Sequence, residues 1–342
     1  MKEIQAIVAR LLGAQVESAV LATLFSVEGS SYRRPGARLL VTSDGHRVGS
    51  ISGGCLEEDV LSRAARVQET GQPEVAVYDT TTENDLVWGV GLGCHGVVRV
   101  LLERLGPRPA WAQVLAANFA ARRATALAVQ HAVAERARWG TRLAAPEDRG
   151  DPAGVFLEQI APPPALVIFG AGDDAQPLMR LAKEFGWHVT IADPRATFAT
   201  AERFPQADAL VVAPAEVLVD RVHAAPDALA VVMTHRYVHD VPILRELLAR
   251  PLAYLGLLGP RKRAERILAD LAKGGLAISA EQRARLHAPV GLDLGAEAPE
   301  QVALAIVAEI LATLSRREAR PLRERTLPIH GPPAKQEGPI QP

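Results

Sequence analysis

Two cysteines are all that the 342-residue chain contains, so no disulfide framework staples it, and no CxxC pair offers a structural zinc site. Neither sign of charge is in excess. The 38 Lys and Arg against 39 Asp and Glu leave a net charge of −1, which gives no bulk field for nucleic acid or an anionic membrane. No apolar run is long enough to span a bilayer. The opening MKEIQAIVARLLGA carries early charges and helical periodicity and does not read as a secretory leader. A cytoplasmic protein with reduced thiols is the expectation. No internal repeat is visible. What remains is an ordinary globular balance, 48% apolar and 23% charged, in a chain long enough for two domains.

The first part of the chain mixes short helices and strands around glycine-rich turns. Residues 2–14 have apolar positions at helical spacing, and SAVLATLFSV (18–27) reads as a buried strand. GARLLVTSDGHRVGSI predicts a hairpin about Asp44-Gly45, and Leu56 to Glu69 a helix stopped by Gly71. PEVAVYDT, GVVRVLLERL, RATALAVQHAV and GVFLEQI are further strands, and WAQVLAANFAA is a helix. APPP (161–164) is a stiff linker. Beyond it, continuous apolar strands alternate with helices, the mark of a parallel sheet covered on both faces. The expected architecture is α/β: a C-terminal Rossmann-type doubly wound parallel sheet (165–320) with a smaller N-terminal α+β module (1–160). The tail 327–342, rich in proline and glycine, is expected to be disordered.

Gly170, Gly172 and Ala175 spell G-x-G-x-x-A between a strand and a helix, and Asp193 ends the next strand about 20 residues on, the dinucleotide-binding spacing. Gly172 would let backbone approach a pyrophosphate, and Asp193 would accept bonds from ribose hydroxyls. That acid favours NAD or FAD over NADP, a preference that Arg195 weakens. Alternatively the glycines serve the turn alone, because Asp173 and Asp174 put negative charge where a pyrophosphate should sit. A second anion site is conceivable at GPRKRAERI (259–267), where Arg261, Lys262 and Arg263 stand in a first helical turn; the alternative there is a solvated basic turn.

Three stretches of the first module share one style. EGSSYRRPGARLL combines serines with Arg33, Arg34 and Arg38, a set suited to phosphate, or else a turn at Arg34-Pro35-Gly36 with exposed arginines. In GSISGGCLEEDV, Gly53 and Gly54 lead into Cys55 at the start of a helix. The dipole there favours a thiolate, and Glu57, Glu58 and Asp59 oppose it. In GLGCHG the second cysteine, Cys94, stands between glycine and His95. Each thiol taken singly reads as a small buried hydrophobe. Two on glycine turns in one module permit a close thiol pair, or thiols facing a soft metal or a sulfur group.

GSSYRRPGARLLV, GSISGGCLE, GLGCHG, the FGAG turn with its DPR strand end, VVMTH, and HAPVGLDLGAEAPEQVALAIVAEIL together resemble the xanthine dehydrogenase accessory factor family, also called the XdhC/CoxI family. The resemblance runs in order over about residues 5–315. It implies a chaperone that binds molybdenum cofactor, supports its sulfuration and delivers it to a molybdenum hydroxylase of the xanthine or carbon monoxide dehydrogenase type. A cysteine desulfurase and the hydroxylase apoenzyme are the implied partners, and a homodimer the implied assembly. The family's two motif cysteines map onto Cys55 and Cys94. The chain departs from the common pattern at Tyr32, Gly93, His95, Asp173 and Asp174. A nicotinamide-dependent oxidoreductase is the competing reading. For it, His235 and Asp240 follow the VVMT strand at the edge where α/β ligands bind, and His287 precedes the PVGLDLGA turn. A thiol redox protein built on Cys55 and Cys94 is a third.

Overall fold

The computed structural model describes residues 1–13, 16–80, 96–132, 135–148, 150, 154–326 and 329. The chain divides into two compact units, Met1–Pro163 and Pro164–Pro342, and the APPP stretch contains the boundary.

In the first unit β1 (Ala19–Gly29), β2 (Arg38–Thr42), β3 (Arg47–Gly49), β4 (Glu74–Asp79) and β5 (Gly96–Leu105) form an antiparallel five-stranded sheet in the order β3-β2-β1-β5-β4. Alternation along the central β1 sends Val20, Ala22 and Leu24 to one face and Ala19 and Leu21 to the other. Helix α2 (Glu57–Thr70) covers the first face with Val60, Ala64 and Val67, one stripe at spacings of three and four. Helices α1 (Lys2–Leu12) and α3 (Ala110–Ala120) cover the second through Ile7, Leu11, Trp111 and Leu115. Because both faces are covered, SAVLATLFSV is apolar on both, with Thr23 its buried polar residue. A second antiparallel sheet has the order β7 (Gly140–Leu143), β6 (Thr125–Gln130), β8 (Val155–Ile160). Buried Glu103 of β5 joins the two sheets by accepting the Thr141 amide at 2.9 Å.

The second unit holds β9 (Ala165–Phe169), β10 (His188–Asp193), β11 (Ala209–Val212), β12 (Leu229–Val232), β13 (Tyr254–Leu257) and β14 (Leu286–His287) in one parallel sheet, ordered β11-β10-β9-β12-β13-β14. Numbered within the unit this is 3-2-1-4-5-6, the Rossmann order. Leu166 and Ile168 of β9 pack beneath α4 (Ala175–Glu184) and α9 (Pro299–Ser315). Val167 and Phe169 point the opposite way, beneath α5 (Ala215–Val222), α6 (Tyr237–Leu248) and α7 (Arg261–Lys273). Each fully buried side chain of this size contributes about 1.5–3 kcal/mol by leaving water, so the doubly wound arrangement follows from strands that are apolar on both faces. The short α8 (Ala280–Ala284) begins with a capping box of Ser279 and Gln282 and precedes the last strand. Among the described residues no helix is long and apolar enough to cross a membrane. Of the tail 327–342, only residue 329 is described.

Candidate functional site

In the first unit the loop after β1 turns at Arg34-Pro35-Gly36-Ala37. The Ala37 amide donates to the Arg34 carbonyl at 3.1 Å, and Gly36 takes φ +97. Proline presets the first central φ and glycine alone takes the second without strain, which is the type II turn. The three arginines of this stretch diverge. Arg38 is 2% exposed and donates to the Gly36 carbonyl at 3.0 Å and to Glu158 of β8 at 2.6 Å. Expected to hold a ligand phosphate, this first residue of β2 points inward, and its charge is neutralised inside the fold by Glu158. Arg33 pairs with Glu3 of α1 and donates to Ser50 Oγ at 3.0 Å. Arg34 stands exposed on the turn.

Residues 50–57 form the second loop. Glu3 also accepts the Ser50 amide, at 2.7 Å, so one carboxylate clasps both loops. Buried Ser52 is the internal cap of the segment, its Oγ accepting the amides of Gly54 and Leu56 at 3.1 Å each. Glu57, the first residue of α2, reaches back to the Ser52 hydroxyl and to the amides of Ser52 and Gly54, at 2.8 and 3.0 Å. Burial raises the Glu57 carboxyl, but these hydrogen bonds outweigh it and hold the group below the usual carboxylate range. Gly54 takes φ +114, and a Cβ there would meet nothing within 4 Å, so its backbone face is open. Gly53 lies beneath the Tyr32 ring, 3.6 Å from where its Cβ would be, and Tyr32 is 66% exposed. Cys55 leaves this loop as a free, exposed thiol at the entry to α2. Cys94, with Gly93 and His95, lies outside the described residues. Among the described residues no three His, Cys, Asp or Glu side chains are grouped to hold a metal ion.

In the second unit the G-x-G-x-x-A turn joins β9 to α4. Gly170 takes φ +125, and a Cβ there would lie 2.4 Å from the Met233 carbonyl oxygen, so glycine is required where β9 passes the end of β12. Ala175 is buried at the start of α4. Asp193, the acid expected to meet ribose, is turned into the fold. It is fully buried, and its oxygens accept the Ala171 amide (2.7 Å) and the Arg195 amide, Nε and Nη2 (2.8, 2.9 and 2.8 Å). A carboxylate has about four lone-pair sites, and all are taken. Burial raises this carboxyl; Arg195 and the amides outweigh that and hold it below the usual range. Asp173 pairs with Arg203 at 2.9 Å, and Asp174 with His235 at 2.6 Å.

Asp240, the second catalytic candidate of the oxidoreductase reading, lies inside the fold. It is 1% exposed, accepts the Thr234 hydroxyl and is held by Arg263 of α7, so it locks the start of α6 to its neighbour. That contact removes Arg263 from the basic turn and leaves Arg261 and Lys262 exposed there. His287 stacks on Tyr254, ring centroids 4.5 Å apart, and sits 3.2 Å from Glu309 of α9. His235 remains at the surface, 59% exposed.

The family model described as XdhC Rossmann domain matches residues 166–310, and the one described as XdhC and CoxI family matches residues 12–79. A curated relative, a probable xanthine dehydrogenase subunit of Bacillus subtilis (strain 168), is 34% identical over 320 residues, covering 88% of this chain and 94% of that protein. The chain belongs to the XdhC and CoxI family. The molybdenum cofactor insertion chaperone PaoD of Escherichia coli (strain K12) is 25% identical over 312 residues, covering 88% of this chain and 85% of that one. The crystal structure of a xanthine dehydrogenase from Bacillus halodurans superposes with a TM-score of 0.79 at 31% identity, over 95% of this chain and 99% of the other. Within this XdhC-type chain, Glu3, Ser52, Glu57 and Glu158 organise the first-unit loops, and the sequence alone does not single them out for that role. Only the Ser52–Glu57 spacing, hydroxyl and acid either side of a helix start, carries a local signal.

Proposed function

We propose that the chain binds molybdenum cofactor as its cargo at the Cys55 loop and delivers it to a molybdenum hydroxylase apoenzyme. Sulfuration of the cargo draws on a cysteine desulfurase, the second thiol is Cys94, and the working assembly is a homodimer. The observation that carries this reading is the free thiol of Cys55, exposed at the end of a loop whose backbone Ser52 and Glu57 fix. A molybdenum pterin presents a phosphate at one end and a sulfur-bound metal at the other. A thiol suits the soft metal end, the open face of Gly54 leaves room for close approach, and exposed Arg34 suits the phosphate. Arg38 is buried against Glu158, and Arg33 is paired with Glu3. Family membership and the likeness to the insertion chaperone PaoD support the same reading.

For the alternative oxidoreductase reading, Asp193 is saturated by Ala171 and Arg195, Asp240 is buried in an ion pair, and His235 is the exposed candidate. The test is to purify the full chain from cells that make the cofactor. Bound pterin is identified by its fluorescence after oxidation, and transfer is measured as activation of a cofactor-free hydroxylase. Pterin at a substantial fraction of the protein, and activation that depends on it, is expected. A chain that carries no pterin and activates nothing contradicts the proposal.

A further inference from the structure

In a Rossmann turn the second glycine lets a pyrophosphate approach the backbone at the helix N-terminus. Gly172 holds that position, and its open face is already filled. A Cβ there would lie 2.7 Å from Asp174 Oδ1 and 3.7 Å from His235 Cδ2. Asp174 stands at the N-cap of α4 but makes no cap hydrogen bond. Its Oδ2 instead meets His235 Nε2 at 2.6 Å, while Oδ1 is buried without a partner. His235 keeps its side of the contact in a left-handed conformation, φ +58, which non-glycine residues adopt rarely. Its ring is 59% exposed, so core packing does not account for that conformation.

The placement matters as much as the contact. Asp174 follows β9 and His235 follows β12, and these strands are neighbours where the strand order reverses, the place a doubly wound sheet binds its ligand. An ionised carboxylate only accepts, so Nε2 carries the proton in this contact. A diphosphate brings acceptors and negative charge to a seat where the Asp174 carboxylate, itself an acceptor, already stands over Gly172. Asp173 beside it has its counter-ion in Arg203, at 2.9 Å; Asp174 faces the imidazole.

We infer that Asp174 and His235 form a specificity-determining pair that shuts diphosphate-bearing nucleotides out of the Gly172 seat of the Rossmann unit. The glycine turn and the helix start beneath the pair are otherwise complete, so removing the carboxylate opens the seat. The inference concerns the second unit alone and does not rest on the cofactor reading of the Cys55 loop.

The experiment is calorimetric titration of the full chain with NAD⁺ and, separately, with inorganic pyrophosphate. Wild type is compared with Asp174→Ala, which removes charge and atoms, and with Asp174→Asn, which removes charge at nearly the same volume. Folding of each variant is checked by its thermal unfolding. The expected result is binding of both probes roughly tenfold tighter or better in Asp174→Ala than in wild type. Wild type binding NAD⁺ as tightly as that variant overturns the inference. If the alanine variant does not fold, a folded Asp174→Asn with no tighter binding overturns it equally.

Discussion

Arg38 is closed in between the Gly36 carbonyl and Glu158, whereas Arg34 is exposed on the neighbouring turn. Removing one half of a buried ion pair costs about 3 kcal/mol, because the remaining group is left without its partner. Arg38→Ala is therefore expected to lower the denaturation midpoint substantially. Arg34→Ala should lower the midpoint less than Arg38→Ala and weaken cofactor retention about tenfold, the loss of one charge-assisted hydrogen bond. Denaturant melts and bound-pterin assays on both variants separate the two roles. Glu103 makes a second residue-scale case. Burial raises its carboxyl, against the lowering effect of the Thr141 bonds and the Arg38 charge. The folded chain thus keeps this proton to higher pH than the unfolded chain, whose value is about 4.3. Stability from the group is complete below that value and is lost as pH rises through the folded value. Glu103→Gln is expected to match wild type most nearly around pH 4 and to gain on it towards pH 7. Melting temperatures across that range check the trend, and a difference that does not change with pH would show that Glu103 does not titrate there.

At the scale of elements, the β9 turn is the tightest constraint in the second unit. Gly170→Ala forces a side chain into positive φ and against the Met233 backbone. Strain of this kind costs about 2–3 kcal/mol, so the variant should unfold at lower denaturant, and an unchanged midpoint would mean that the β9–β12 approach relaxes freely. The same turn shows what a sequence displays and what it hides. The β9–α4–β10 unit, the Asp44-Gly45 hairpin of β2 and β3, and the fully covered β1 are all legible, because each depends on residues close in the chain. The strands β7 and β14 are not. GTRL and LH are too short to show a period, and their partners in the sheets are supplied by tertiary contact. Site contacts divide in the same way. The glycine turns before Cys55 and around Gly172 are visible. Their partners come from far along the chain: Glu3 for Ser50, Glu158 for Arg38, His235 for Asp174. Asp193 stands at the right spacing, yet Arg195, two residues on, saturates it, a local contact that spacing alone does not reveal.

Across the whole molecule the carboxylates of Glu57, Asp59, Glu74, Asp193 and Glu309 share one pattern. Burial raises each, and hydrogen bonds outweigh it, so each stays ionised below its ordinary range. Their contribution is present above the unfolded value of about 4 and is lost as pH falls through the folded values. Glu57 lies in the first unit, Asp193 and Glu309 in the second, so both units should lose stability as the solution is acidified below about pH 4. A melting temperature that stays the same on acidification through that range would contradict this. The central claim is the role of the Cys55 thiol, free and exposed on its fixed loop. Cys55→Ser is nearly isosteric and leaves the Ser52–Glu57 bonds untouched, so the fold should persist. The most direct measurement is the pterin bound per chain in wild type and Cys55→Ser, purified side by side from cells making the cofactor. The account predicts a loss of roughly tenfold or more in bound pterin, with an unchanged melting temperature. Wild-type pterin content in Cys55→Ser would contradict it and remove the thiol from the site.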